Sequence, residues 1–257
     1  MKYINSIRTS QPTRQVGIDY GNPLTRGLID ACLPMAGHTV NGTPVTISGT
    51  SQSLVSNSLG TAVQSASGGT GYWRYGNPRL SPPSNTPFTL ISVYRLTATG
   101  TAGRVISNII SAVAGYGLLP NATNFRAAIA RSGANMLFVG NPVSTAIQCD
   151  AVVYTGTQGK YYQKGVQVDT TQTGSYDVQV GTFQIGADAF GSAAAPSQVS
   201  MWGLWNRALS DAEIKSISDK PWQIFAQMAR VIRVPDTGSV VASNAPRYFH
   251  RTQSGQA

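Results

Sequence analysis

The chain has 257 residues, of which 41% are hydrophobic and only 11% charged, with a formal net charge of +9. This length and apolar fraction exclude a disordered chain and suffice for one sizeable core. So little charge, with Glu213 the only glutamate, excludes a fold of long amphipathic helices, whose wet faces usually carry Glu and Lys.

The 27 Gly and 14 Pro residues supply tight turns, and Ser, Thr, Asn and Gln take the place of charge at the surface, a composition of many short strands. A positive balance would suit nucleic acid, an anionic glycan or an acidic partner. The arginines, however, sit singly from Arg8 to Arg251, so the charge reads as scattered and uncompensated, and no specific nucleic-acid partner is expected. Cys32 and Cys149 lie in apolar surroundings and read as buried free thiols, with a bridge left open by sequence alone. Two Cys with His38 and His250 give no metal-ligand spacing, and no cofactor is expected. Residues 1–10 (MKYINSIRTS) hold no apolar run suited to a signal peptide, and no segment reaches transmembrane length. A soluble chain made inside the cell, without a membrane partner, is the expectation, and the sequons at Asn41 and Asn121 are then fortuitous.

Residues 1–20 read as an extended arm. Asn22-Pro23 forms a turn before a first core strand at Gly27–Leu33, and Thr43–Ser48 places Val45 and Ile47 on one side as a half-buried strand does. A Ser/Gly-rich stretch runs to Thr70, followed by Tyr72-Trp73-Arg74-Tyr75, a proline-rich turn at Ser81–Pro87 and a strong strand at Phe88–Leu96. Further strands are expected at Gly103–Ser111, Gly115–Leu119, Asn124–Arg131, Asn135–Gly140 and Ala146–Thr155. Lys160–Gln163 and Val166–Val168 form a hairpin about Lys164-Gly165, before strands at Ser175–Val180, Thr182–Gly186 and Val199–Trp205. Turns recurring every 8–12 residues or so mark a sandwich or barrel. One short helix stands out: Ser210 as N-cap with Glu213 three residues later is a capping box, Ile214 and Ile217 give the helix an apolar stripe, and Pro221 stops it. After Phe225 the chain reads as a second arm, so the expected division is an arm at 1–20, a sandwich at 21–225 and an arm at 226–257.

Phe88–Leu96 resembles the strand written "pFTisawv" in concanavalin A-like and laminin-G-like domains, and Val152–Val168 resembles their glycine-turned hairpin. Phe183–Gly186 followed by Val199–Ile214 is similar to their closing segment, "l-iGg…vriwnraLsdaEI". The resemblance covers about residues 22–218 and implies an all-β jelly-roll sandwich with one short C-terminal helix and extended terminal arms. Asn22–Leu28 (NPLTRGL) and Pro221–Ala226 (PWQIFA) look like tailed-bacteriophage and prophage proteins carrying this domain. That implies a virion structural protein, assembled in the host bacterial cytoplasm and displayed as a capsid-decorating or tail component. Other virion proteins would be its partners through the arms, and a homo-oligomer is expected. Because jelly rolls serve both viral shells and lectins, a module binding bacterial surface polysaccharide is the alternative.

Catalysis is not expected. Glycan hydrolysis needs two carboxylates about 5–9 Å apart across the bond, whereas Glu213 belongs to the helix cap and no nucleophile elbow is present. Calcium would need clustered carboxylates, but Asp169, Asp177 and Asp188 fall in separate loops, so no metal ligand is assigned. A glycan would meet exposed aromatics. Strand alternation puts Tyr72 with Arg74 on one face and Trp73 with Tyr75 on the other, one face being buried, and Tyr161-Tyr162 is a second pair. Trp202 and Trp205 read as the floor beneath the helix. Trp73 and Tyr75, with Trp222 at the tail junction, are the candidate contacts for a glycan or a partner.

Overall fold

Two antiparallel sheets face one another in the computed structural model, which describes residues 11, 16–33, 45–48, 52–58, 60–66, 72–109, 114–130, 135–178, 183–186 and 194–227. The front sheet has seven strands in the order Met136–Pro142, Asn124–Ala130, Gly115–Leu118, Ile106–Ser107, Phe183–Ile185, Tyr72–Tyr75 and Val45–Ser48. The back sheet runs Val166–Gln167, Gln158–Gln163, Gln148–Tyr154, Phe88–Leu96, Ser197–Trp205, Gly60–Ser65 and Gln52–Asn57. Leu28–Cys32 also pairs with Ser197–Trp205, and Gln172–Thr173 with Gln158–Gln163. A separate ribbon joins Val16–Ile18 to Phe225–Gln227.

The three central back strands are buried almost throughout, because both of their faces are covered. In Phe88–Leu96 the residues Phe88, Leu90, Tyr94 and Leu96 enter the core between the sheets, while Ile91 and Val93 enter a second cluster on the outer face. Ser197–Trp205 serves both through a bulge. Val199 pairs with Tyr94 but Met201 with Val93, so the extra Ser200 shifts the alternation. Val199, Trp202 and Leu204 then face inward, and Met201 and Trp205 outward.

The helix at Asp211–Asp219 lies over the outer cluster with Ile214 and Ile217 buried. Its expected capping box is formed: the Glu213 amide donates to Ser210 Oγ at 3.3 Å, and the Ser210 amide donates to Glu213 Oε2 at 2.8 Å. The hairpin about Lys164-Gly165 is also present, with φ of 51° and 79°, the left-handed pair that a two-residue turn between twisted strands requires. Both cysteines are buried and free, and burial pushes each thiol up to about 12.

Several expectations need correction. Residues 1–20 are not an arm throughout, because Val16–Ile18 is a strand whose Val16 and Ile18 are buried. The second arm likewise begins later than 226, since Ala226 and Gln227 belong to the same ribbon. The Ser/Gly-rich stretch before Thr70 contains a hairpin, Gln52–Asn57 with Gly60–Ser65, whose polar outward residues mask the β pattern. Of the strand expected at Ser175–Val180, the described residues 175–178 are not a strand; they pack as a loop that drives Tyr176 into the core. Residues 1–10 and 228–257 lie outside the described residues.

Candidate functional site

The two segments that narrow the resemblance come together in space. Asn22 turns the chain by accepting from the Leu24 amide at 3.0 Å, while its own Nδ2 donates to Gln223 O at 2.9 Å. The Asp19 amide donates to Ile224 O at 2.9 Å, and Trp205 Nε1 donates to Leu24 O at 2.8 Å. Leu24, Trp205, Trp222, Ile224 and Phe225 share the outer cluster with the helix. Asn22–Leu28 and Pro221–Ala226, some two hundred residues apart in sequence, thus form one clasp on the back of the sandwich. Its register pairs Val16 with Gln227, so the two ends of the folded module emerge side by side.

Arg207 fixes the clasp to the helix. It forms a two-pronged pair with Glu213 at 2.7 and 3.0 Å and donates through Nε to Arg26 O at 2.7 Å. Hydrogen bonding from Arg207, against a smaller opposing effect of burial, lowers the Glu213 carboxyl to about 2. A carboxyl so committed is always ionised near neutrality and cannot serve as a general acid. The sequence showed the cap but not the Arg207 partner, for which the six-residue separation gave only a weak signal.

The candidate aromatic contacts are all interior, and this corrects their assignment. Trp73, Tyr75 and Trp222 are at most 2% exposed, so none offers a ring face to a ligand on the surface. Tyr75 stacks edge-on with Trp202 at 4.9 Å and Phe183 at 6.0 Å between the sheets, with Trp73 in the same cluster. Trp222 is sealed beneath the helix, because a short 3-10 turn at Pro221–Ile224 folds the chain back onto the outer cluster. The opposite alternation of the same strand remains partly open: the Arg74 guanidinium sits over the Tyr72 ring at 4.5 Å. Tyr161 and Tyr162 are also buried, one in each cluster.

Sequence reading overlooked Asp150. Its carboxylate is fully buried between the sheets, and both Tyr94 and Tyr161 donate to Oδ2 at 2.7 Å. The Gln163 side chain also approaches this carboxylate and favours its charged form, while Gln163 Oε1 accepts from the Asn141 amide at 2.7 Å. Burial pushes the Asp150 carboxyl up to about 6, with the two tyrosine bonds pulling the other way. Burial also holds both phenols well above their ordinary range. A carboxyl poised near 6 beside two hydroxyls has an acid–base look, but without solvent access it can reach no substrate. Among the described residues no group of three or more His, Cys, Asp or Glu could hold a metal ion, and no helix is long and apolar enough to cross a membrane.

No family model matches the chain, and no curated protein matches it. Solved structures do. The binding domain of Paraclostridial Mosquitocidal Protein 1 superposes with a TM-score of 0.62 at 11% identity, covering 78% of this chain and 53% of that one. The receptor binding domain of botulinum neurotoxin D gives 0.60 at 11% identity over 78% and 54%. Trypanosoma rangeli sialidase gives 0.59 at 17% identity over 78% of this chain and 34% of the sialidase. The chain therefore spans about half the length of these toxin chains and about a third of the sialidase. Likeness at such low identity speaks for architecture alone, and the architecture is the expected all-β jelly-roll sandwich.

Proposed function

We propose that this chain is a non-enzymatic structural and binding module of a bacteriophage particle, displayed as a capsid-decorating or tail component and attached through its terminal segments. The observation that carries this reading is the clasp. The two segments resembling phage and prophage proteins are packed against each other, and they bring both ends of the module to one place. An attachment made there leaves the rest of the sandwich free for display. Support for a non-enzymatic role comes from the acids: Glu213 is tied to Arg207, and Asp150 is enclosed with Tyr94 and Tyr161. The test is incorporation into particles. Full-length chain should bind particles lacking it, and a chain without residues 1–10 and 228–257 should not; unchanged binding by the truncated chain would refute arm-mediated attachment.

A lectin-like module that recognises bacterial surface polysaccharide is the second reading. It is favoured by likeness to the receptor binding domain of botulinum neurotoxin D and to a structure of botulinum neurotoxin type C, whose cell entry is described as dependent upon interaction with two ganglioside molecules. With Trp73, Tyr75 and Trp222 enclosed, a sugar would have to use surface groups such as the Tyr72–Arg74 pair. Retention on an array of bacterial polysaccharides, lost in Tyr72→Ala, is the expected result; no retention by the intact chain would eliminate this reading.

A further inference from the structure

The two long sides of the sandwich end differently. On one side the front sheet finishes at Met136–Pro142, and side chains from the back half occupy the outward backbone groups of this strand. Asp169 Oδ2 accepts from the Val139 amide at 2.8 Å, Gln163 Oε1 accepts from the Asn141 amide at 2.7 Å, and Gln172 Nε2 donates to Leu137 O at 2.8 Å. An edge capped in this way has several of its outward backbone groups already engaged, which hinders pairing with another strand.

On the other side the front sheet finishes at Val45–Ser48 and the back sheet at Gln52–Asn57, strands that follow one another along the chain. Neither contains a charged residue or a proline, the residues that commonly guard an exposed edge. The core is also unfinished here. One inner row crosses all seven front strands, through Ile47, Trp73, Ile185, Ile106, Leu118, Ala127 and Phe138. It is fully covered at Phe138 but 49% exposed at Ile47. In the back sheet Leu54 pairs with Val63, which pairs with Val199, both inward-facing core residues, and Leu54 is 43% exposed. Two core-facing side chains thus lie half bare at adjoining, uncharged edges.

We propose that this seam is an interface between two copies of the chain, formed by edge-to-edge pairing of Val45–Ser48 about a two-fold axis and covering Ile47 and Leu54. A second copy is the occupant argued for by charge. The chain carries a net +9, so two copies repel, and they repel least where neither presents a charge. Edge strands in a two-fold contact meet their own sequence, and an uncharged strand places no like charges opposite each other. This inference does not depend on whether the module is carried on a particle.

Sedimentation equilibrium of the full chain tests it. The expected mass is twice the 27.1 kDa of one chain. Ile47→Lys combined with Leu54→Lys should restore the single-chain mass with an unchanged far-ultraviolet dichroism spectrum. Leu137→Lys combined with Val139→Lys is the matched control, since these residues are 44% and 41% exposed but lie on the capped edge, and it should leave the dimer intact. Removal of residues 1–10 and 228–257 should leave the dimer intact as well. If the lysine pair prevents folding, Ile47→Thr with Leu54→Thr is read instead, and its dissociation constant should rise by about tenfold or more. A single-chain mass for the unaltered protein, a dimer insensitive to both seam variants, or a dimer lost only with the terminal segments would each overturn the proposal.

Discussion

The back sheet is covered on both faces, and the two coverings are chemically different. Between the sheets lies an aromatic core with an enclosed carboxylate, where Tyr94 and Tyr161 converge on Asp150. On the outer face lies an aliphatic and indole cluster closed by a helix, whose carboxylate, Glu213, sits at the rim with Arg207. One acid is raised by burial and the other lowered by a partner, so the two layers should respond to pH with opposite sign. The inner layer defines the fold, and the outer layer brings the chain ends together.

The largest effect should come from emptying either layer. Trp202→Ala in the inner core should cost about 3–5 kcal/mol in denaturant unfolding and loosen the whole sandwich. Trp222→Ala should be felt first in the outer layer, with hydrogen-exchange protection falling in Asp211–Asp219 and the Val16–Ile18/Phe225–Gln227 ribbon before Phe88–Leu96. Equal loss of protection in both layers would break the distinction between them.

Next in size is the pH response of Asp150. Its folded carboxyl sits near 6 against an ordinary value of 3.8, so folding favours the protonated form. Stability from this group is greatest below pH 4 and is lost as pH rises through 6, by about 3 kcal/mol at most. Tyr94 and Tyr161 face it from the back sheet, and Lys164 partly offsets the effect. Asp150→Asn should abolish that slope in unfolding free energies measured from pH 4 to pH 7. Glu213 has the reverse sign. With its folded value near 2, below the ordinary 4.5, it stabilises above pH 4.5, and the effect disappears as pH falls through 2. Its partial exposure reduces the effect, and Glu213→Gln should cost about 1–2 kcal/mol at neutral pH, read by thermal unfolding. The smallest change should be Asp169→Ala. Removal of the Val139 cap should cost about 0.5–1.5 kcal/mol, read by denaturant unfolding.

Much of the architecture was legible in local pattern. The capping box at Ser210 and Glu213, the Lys164-Gly165 turn and the apolar Phe88–Leu96 strand each depend on neighbours within a few residues. The alternation at Tyr72–Tyr75 correctly separated two faces, and the half-open Val45–Ser48 strand was legible in the same way. Features set by long-range register were not. Asp150 meets Tyr94 and Tyr161 only because three strands align, and nothing local distinguishes it from a surface aspartate. Val16–Ile18 looks like part of an arm until Phe225–Gln227 supplies its partner. Trp222 seemed open for the same reason, since its cover is the helix and turn that fold back over it. The Gln52–Asn57 hairpin went unseen because its serines and glutamines carry little β signal.

The paired ends of the module also determine how it would bear force. Because Val16 lies opposite Gln227, traction on the two termini in opposite directions would open the ribbon like a zipper, loading its backbone bonds one pair at a time. Traction on both termini in a common direction would instead pull the two strands as a unit against Trp205, Trp222 and the Asn22–Gln223 bond. A module anchored at both ends to the same neighbour would therefore be mechanically stronger than one stretched between two neighbours.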